Sequence, residues 1–170
     1  IETVATLGRG ESFVRVLERA GVASKEAKAV EAMVSGATSL SEVEPGTPIE
    51  IRLGARTSKS QPRPLEHLTF RARFDLRLSV KGAGGRFSLQ REAIAVDETP
   101  LRIRGIVGDS LYRSARAAGA SADAIQSYLK IIVGRISLSD VQPSDEFDII
   151  MSHKRAATGE SKPGEMLYAG

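Results

Sequence analysis

Apolar and polar residues alternate with a period of two along residues 68–80. Leu68, Phe70 and each second position after them are apolar, whereas the intervening positions hold Thr, Ser, Arg or Asp, with Ala72 on the apolar side. Such alternation puts one set of side chains on a core face and the other in solvent. The pattern predicts one long β-strand over 68–80, then a glycine-rich turn over 81–85 and a returning strand from Phe87.

A helical period governs the segments on either side of that strand. Apolar residues recur at helical spacing in four places, residues 13–20, 27–34, 111–118 and 125–132. Ser12 and Ser24 precede the first two and are the expected N-caps, because a serine hydroxyl accepts from free amides of a first turn. Alternation returns at 49–53 and 147–151, which predicts a strand after each helix pair.

The two helix pairs belong to an internal duplication. Ser39–Gly46 reads Ser-Leu-Ser-Glu-Val-Glu-Pro-Gly, and Ser137–Ser144 repeats it as Ser-Leu-Ser-Asp-Val-Gln-Pro-Ser. With the same offset of 98 residues and no gap, 12 of 42 positions are identical between 10–51 and 108–149. We therefore predict two copies of one strand–helix–helix–strand module. Leu40, Val43 and their counterparts Leu138 and Val141 are the expected buried residues of each loop.

These patterns predict an α+β protein with two such modules joined by an antiparallel β-rich segment. The expected segments are module 1 over 1–54, a linker over 55–64, a basic β-hairpin insert over 65–100, module 2 over 101–154 and a polar connecting segment over 155–170. In the last of these, Met166-Leu167-Tyr168 resembles the start of another strand. The first residue is Ile rather than Met, and no natural terminal element closes the sequence at Gly170, so we expect a piece of a longer protein.

Charge is distributed unevenly between these segments. The net charge of +3 consists of about −3 over residues 1–51, +8 over 52–91 and −2 over 92–170. The basic segment therefore either faces an acidic polymer or docks on the acidic modules, and composition leaves both open. No apolar run is long enough to span a membrane, and an anchor upstream of Ile1 would not be visible.

Catalytic and metal-binding patterns are absent from the sequence. Cysteine does not occur, and the two histidines, His67 and His153, have no further ligands at metal-binding spacing. Gly82–Gly85 lacks the Lys-Ser/Thr and the helix of a phosphate-binding loop. We therefore expect no catalytic residues, no metal and no cofactor in this chain.

Three arginines, Arg71, Arg73 and Arg77, are predicted to share the polar face of the long strand and to form a basic face for anionic groups. Aromatic side chains that could stack on bases, Phe70 and Phe74, fall on the opposite face of that strand. The pattern therefore favours an acidic envelope polymer over nucleic acid as the partner of this face.

The first module resembles a divergent LysM domain. Gly10-Glu11-Ser12-Phe13 matches the Gly-Asp-(Ser/Thr)-Leu turn that opens the first LysM helix, and Pro45-Gly46-Thr47-Pro48-Ile49 matches the Pro-Gly segment before the last strand. The resemblance implies glycan or partner contacts in the loops before the first helix and after the second. The implied contact residues are Glu11, Ser12, Ser39 and Ser41 in module 1 and Asp109, Ser110, Ser137 and Ser139 in module 2.

The second half resembles the region that precedes the catalytic domain of lysostaphin/LytM-type zinc metallopeptidases, which are bacterial envelope murein endopeptidases. The matching stretches are 105–115, Ala118-Gly119, 140–147 and 164–169. The family's H-x-x-x-D and H-x-H zinc motifs do not occur in this chain. The resemblance implies a periplasmic parent hydrolase whose zinc lies in a C-terminal peptidase domain outside this sequence.

The function implied is that of a non-catalytic region that packs on or occludes its own peptidase domain and positions it on peptidoglycan. Two alternatives remain open at this point. One is a stand-alone module that binds peptidoglycan or another acidic polymer, and the other is an envelope scaffold that recruits a protein.

Overall fold

The computed structural model describes residues 1–170 and divides them into two units, Ile1–Ile94 and Ala95–Gly170. It confirms the α+β class, with four α-helices and two antiparallel sheets. None of the helices has the length and apolar content that a membrane crossing requires. Each unit has a hydrophobic core of its own, so each is described by itself.

Unit 1 packs two helices on one face of a five-stranded sheet of order β1-β2-β3-β4-β5, in which all neighbours are antiparallel. Its elements are β1 (Glu2–Thr6), α1 (Phe13–Arg19), α2 (Ser24–Ser35), a 3₁₀ helix η1 (Leu40–Glu42), β2 (Pro48–Leu53), β3 (Leu65–Arg73), β4 (Leu76–Ala83) and β5 (Arg86–Ala93). Residues 55–64 hold no helix or strand.

The segment expected as a separate insert continues the sheet of unit 1. Leu68, Phe70 and Leu78 are almost fully buried and lie in the same core as Val16 and Val30 of the helices. The backbone amide of Leu65 donates to Glu26 Oε2 at 3.1 Å, which ties the start of β3 to α2. Residues 65–93 are therefore part of the unit that residues 1–54 begin.

The prediction of a single strand over 68–80 was wrong, because the chain reverses at Phe74 and Asp75. Phe70 pairs with Leu78 and Leu68 pairs with Val80 across the resulting hairpin. The expected turn over 81–85 is shorter, since β4 runs to Ala83 and only Gly84 and Gly85 adopt positive φ, of 58° and 79°.

Of the two N-caps that the sequence predicted in unit 1, the structure contains one. Ser12 Oγ accepts from the Arg15 amide at 3.3 Å and caps α1 as expected. Ser24 does not cap α2, because it is already the first helical residue. The N-cap is Ala23, whose side chain has no oxygen to offer.

Unit 2 repeats the plan with fewer strands. Its elements are β6 (Val96–Asp97), β7 (Leu101–Ile106), α3 (Leu111–Ala117), α4 (Ala122–Val133), a 3₁₀ helix η2 (Leu138–Asp140), β8 (Glu146–Ala156) and β9 (Ser161–Ala169). β6, β7 and β9 all pair antiparallel with β8. The connecting segment that was expected over 155–170 instead forms the end of β8, a turn with Gly159 at φ 103°, and β9. Met166-Leu167-Tyr168 lies in a strand as expected.

The duplication is visible in the bounds of the helices. α1 and α3, α2 and α4, and η1 and η2 each begin and end 98 residues apart. The equivalent loop residues of the two units differ in solvent exposure, however. Val43 is buried and Leu40 is half-buried, whereas Val141 is half-buried and Leu138 is 49% exposed. The expectation of a buried Leu138 was therefore wrong.

Candidate functional site

A groove of about 270 Å³ lies in unit 1 between the turn before α1 and η1 after α2. Its lining consists of Leu7, Glu11, Ser12, Phe13, Glu31, Leu40 and Ser41. The apolar members form a hydrophobic lining, and carboxylates and hydroxyls provide polar groups. Such a combination suits a ligand with both apolar faces and hydrogen-bonding groups.

Glu11 is held in place by three donors. Its Oε2 accepts from the Gly8 amide at 3.0 Å, and Arg19 donates to Oε1 at 3.2 Å and to Oε2 at 3.1 Å. The hydrogen bond from Arg19, aided by that from Gly8, lowers the pKa of the Glu11 carboxyl below its ordinary value. The group is therefore an anion at neutral pH and acts as a fixed acceptor rather than as a base.

The second carboxylate of the groove, Glu31, comes from α2. Its Oε2 accepts from the Val14 amide at 3.0 Å, which satisfies one free donor of the first turn of α1. Ser12 also caps this helix, so both side chains have structural duties. Ser41 lies across the groove, with its Oγ 2.7 Å from Ser39 Oγ. The Ser41 hydroxyl and the two carboxylates thus line the same groove.

The structure therefore brings three of the four residues proposed for module 1, Glu11, Ser12 and Ser41, to one groove, with Ser39 bonded beside it. Sequence reasoning missed Glu31 and Arg19. A signal for both exists in the periodicity, because each is a polar residue on a helix whose apolar stripe the spacing already assigns. Glu31 reaches the groove and Arg19 reaches Glu11 only because of how the two helices are rotated, and the pattern does not supply that rotation.

The corresponding loops of unit 2 lie at equivalent positions along the chain but have different chemistry. Ser110 Oγ accepts from the Arg113 amide at 3.4 Å and caps α3, and Ser137 Oγ lies 2.6 Å from Ser139 Oγ. Asp109 stands in the place of Glu11. Leu129 replaces Glu31 and Ala117 replaces Arg19 at the offset of 98. The second copy thus keeps the caps and the hydroxyl pair and lacks the ion pair and the second carboxylate.

The three arginines of the predicted basic face do not lie on one strand. Arg71 and Arg73 belong to β3 and Arg77 to β4, with Arg71 and Arg77 as cross-strand partners. The Arg71 guanidinium donates to the Phe74 carbonyl at 2.6 Å and lies 4.9 Å from the centre of the Phe74 ring. Phe74 is thus in contact with Arg71, and its expected place on the opposite face was wrong.

The other two arginines lie close to acidic side chains. Arg73 lies 3.4 Å from Asp75, and Arg77 lies 3.7 Å from Glu92. Exposed pairs of this kind contribute little to stability, about 0–1 kcal/mol each. They do reduce the local excess of positive charge that the sequence indicated for this face.

A second concavity of about 340 Å³ lies on the sheet of unit 1, lined by residues of β1, β2 and β3 that include Glu2, Val4, Glu50, Arg52 and His67. Arg52 donates to Glu2 at 3.2 Å across it. His67 is therefore a member of a polar sheet surface. His153 lies on β8 opposite Pro163. No three His, Asp or Glu side chains converge in a way that could hold a metal ion.

In unit 2 an ion pair and a buried tyrosine connect the sheet and its helix. Arg102 on β7 donates to both carboxylate oxygens of Asp148 on β8, at 3.0 and 2.5 Å. This hydrogen bonding by Arg102 lowers the pKa of Asp148. The Tyr128 hydroxyl donates to the Gly170 carbonyl at 2.7 Å, and burial raises the pKa of that phenol. The first contact holds β7 to β8, and the second holds α4 to the residue that follows β9.

No protein-family model matches the chain, and no curated protein matches it. Solved structures do share its fold. A zinc-containing peptidase from Vibrio cholerae matches over 95% of this chain with a TM-score of 0.55 and 17% identity. Helicobacter pylori Csd3 matches in two crystal forms, with TM-scores of 0.57 and 0.52 at 13% and 14% identity, over 95% and 96% of this chain. The chain spans only 49% of the first structure and 43% of each of the others.

Proposed function

We propose that this chain is the non-catalytic region of a LytM-type zinc metallopeptidase that cleaves peptidoglycan in the bacterial envelope. One observation carries the proposal. The fold of nearly the whole chain is similar to less than half of a zinc-containing peptidase and of Csd3. The order of short motifs over residues 105–169, which resembles the region before a LytM domain, supports the same assignment independently of the fold.

The chemistry of the residues is consistent with a supporting role. The carboxylates of the groove are committed to amides and to Arg19, and the histidines lie on separate units without partner ligands. In this proposal the zinc and the hydrolytic residues of the parent belong to its peptidase domain. In this proposal the two units pack on or occlude that domain and position it on murein in the periplasm.

A second candidate function is direct binding of peptidoglycan by unit 1, and the groove favours it. Its fixed acceptor at Glu11, its hydroxyl at Ser41 and its apolar lining at Leu40 and Phe13 could receive the amide and hydroxyl groups and the apolar faces of a glycan. Its place, between the loop before the first helix and the loop after the second, is the one that the LysM resemblance implies. Unit 2 is the poorer candidate for glycan binding, because it has Leu129 and Ala117 where unit 1 has the polar residues Glu31 and Arg19.

The regulatory role is tested on the parent protein with and without residues 1–170. We expect the shortened peptidase to release more soluble fragments from purified sacculi than the whole protein, because its cleft is no longer covered. Equal or lower release by a folded, zinc-loaded peptidase domain would contradict occlusion. A parent sequence without H-x-x-x-D and H-x-H motifs would contradict the assignment as a whole.

Glycan binding is tested by co-sedimentation of this chain with sacculi. Ser41→Tyr fills the groove and should lower the bound fraction several-fold, whereas Ser88→Tyr, an equally exposed change on β5, should leave it unchanged. A salt series separates the groove from the basic strands, since binding through Arg71, Arg73 and Arg77 would be lost as ionic strength rises. An unchanged bound fraction in Ser41→Tyr would exclude the groove.

A further inference from the structure

The groove of unit 1 holds one negative charge that no other residue balances. Arg19 donates to both oxygens of Glu11, so the charge of that carboxylate is compensated. Glu31 has no ion-pair partner, and only its Oε2 is engaged, by the Val14 amide at 3.0 Å. Glu31 Oε1 is therefore a charged acceptor in the lining of the groove that remains available to a ligand.

The rest of the lining is apolar or carries hydroxyl groups. Leu7 and Phe13 are buried and Leu40 is half-buried, and together they form apolar walls. Ser12 and Ser41 add hydroxyl oxygens to the same lining. The volume of about 270 Å³ is small, since pockets that enclose a drug-sized ligand usually have about 300–1,000 Å³. The groove therefore suits a single side chain of a larger ligand.

The groove lies at the end of β1 that is remote from Ile1. The ammonium group of Ile1 donates to the Leu53 carbonyl at the start of this strand. The Leu7 amide donates to the Thr47 carbonyl at its other end. Leu7 is thus roughly 20 Å from Ile1, because a strand rises about 3.3 Å per residue. All residues of the lining lie between Leu7 and Ser41, so the helices and loops of unit 1 form the whole groove.

The groups of the lining discriminate between ligand charges and between cations. An anionic ligand is disfavoured by the uncompensated charge of Glu31. A guanidinium group binds a carboxylate best through two parallel hydrogen bonds, and Glu31 has only one oxygen to offer. A quaternary ammonium group prefers an aromatic cage, and Phe13 is the only aromatic residue of the lining. A primary ammonium group has three donors, which equal in number Glu31 Oε1 and the hydroxyls of Ser12 and Ser41.

We propose that this groove binds the terminal ammonium group of a diamino acid side chain in a peptidoglycan stem peptide. The alkyl stem of that side chain lies against the apolar walls, and the ammonium group donates to Glu31 Oε1. The proposal rests on the second candidate function, binding of peptidoglycan by unit 1, and names the part of the polymer that is bound. It does not depend on the peptidase assignment. Unit 2 lacks such a site, because Leu129 stands at the place of Glu31.

The test is a titration of the isotope-labelled full chain with Nα-acetyl-lysine N-methylamide. We expect saturable shifts of the amide resonances of Gly8, Val14 and Ser41 at millimolar concentration. Nα,Nε-diacetyl-lysine N-methylamide has the same stem without the charge. It should bind at least about fivefold more weakly, since a hydrogen bond to a charged group is stronger than one between neutral groups.

Glu31→Gln retains the side-chain volume and an acceptor for the Val14 amide, and it should weaken binding of the lysine probe at least about fivefold. Glu50→Gln is the matched control, because it removes the same charge from an exposed residue of β2 outside the groove. Its affinity should equal that of the unchanged chain. Ser41→Tyr, which fills the groove, should also abolish the shifts and replaces Glu31→Gln if that variant does not fold.

Equal affinity of Glu31→Gln, or of the uncharged lysine derivative, overturns the proposal. So does tighter binding of methyl β-glucosaminide, which carries its ammonium group on a sugar ring instead of an alkyl stem. Saturable shifts with methyl N-acetyl-β-glucosaminide alone overturn the ammonium proposal and leave glycan binding by the groove standing. The absence of saturable shifts with every probe overturns both.

Discussion

Ala23 and Ser121 occupy the same place at the start of the second helix of each unit. Their backbones are similar, with φ −62° and ψ 141° at Ala23 and φ −73° and ψ 160° at Ser121. Ser121 Oγ accepts from the Ala124 amide at 3.1 Å, whereas Ala23 accepts with no side-chain atom. One unit therefore has a cap that the other lacks. The sequence misled here because Ser24, one residue too late, was the nearest serine.

Ala23→Ser should stabilise unit 1 by about 0.5–1 kcal/mol, because the new hydroxyl would reach the amide of Glu26 as Ser121 reaches that of Ala124. The measurement is the free energy of unfolding in urea. Ser24→Ala serves as the control and should change it by less than about 0.5 kcal/mol, as for a surface site without a cap. A large loss in Ser24→Ala would mean that Ser24 caps the helix after all.

At the scale of elements, the hairpin of β3 and β4 explains why the pattern suggested one strand. Phe70 pairs with Leu78, and Leu68 with Val80, so partners across the turn have the same parity. The apolar residues therefore stay on even positions before and after the reversal, so the alternating pattern does not reveal the turn. The turn residues Phe74 and Asp75 include no glycine, proline or asparagine to mark it. The helices were more predictable, because a turn interrupts the 3.6-residue spacing of apolar residues and so marks where a helix ends.

Gly82 is a strand residue whose absent side chain allows close packing of β4 on β3. A Cβ at this position would lie 2.1 Å from the Leu65 carbonyl oxygen, a backbone atom that cannot rotate away. Gly82→Ala should therefore destabilise unit 1 by about 1–3 kcal/mol, the cost of overpacking. Thermal or urea unfolding of the full chain measures this.

Gly36→Ala is the matched change for Gly82→Ala in the same unit. Its Cβ would meet the Met33 carbonyl oxygen at 3.5 Å and the Ala32 carbonyl oxygen at 3.8 Å, which are both ordinary contacts. It should be neutral or stabilise by up to about 1 kcal/mol, since alanine restricts the unfolded chain. Equal effects of the two substitutions would show that close packing at Gly82 is not the cause.

At the scale of the whole molecule, the sequence predicted the duplication, the class and part of the groove. Glu11, Ser12 and Ser41 could be chosen because they lie in turns whose order along the chain is itself a recognisable motif. Glu31 and Arg19 could not, since a helix position acquires its neighbours only when the helix is rotated against the sheet. The exposure of Leu138 was not predictable either, because Leu138 and Leu40 stand in the same sequence pattern and differ only in the core that surrounds them.

The extent of unit 1 leads to a prediction about fragments. Residues 1–94 should fold and unfold cooperatively, whereas residues 1–54 should not. The shorter piece lacks Leu68, Phe70, Leu78 and Val80, and each buried side chain of this kind contributes about 1.5–3 kcal/mol. Their sum is comparable to the whole stability of a small domain, about 5–15 kcal/mol. Dispersed amide spectra of both fragments check this, and a folded 1–54 fragment would contradict it.

The equal spacing of the helices also has a consequence at the level of the gene. Because α1 and α3, and α2 and α4, begin and end 98 residues apart, an exchange between the two copies at equivalent codons keeps the reading frame and the helix register. Gly36 and Gly134 both follow the second helix of a unit. Recombination between them would yield a chain 98 residues shorter, in which α1 and α2 are followed by β8 and β9. The equal spacing thus preserves a route by which the additional strands of unit 1 can be gained or lost in a single genetic event.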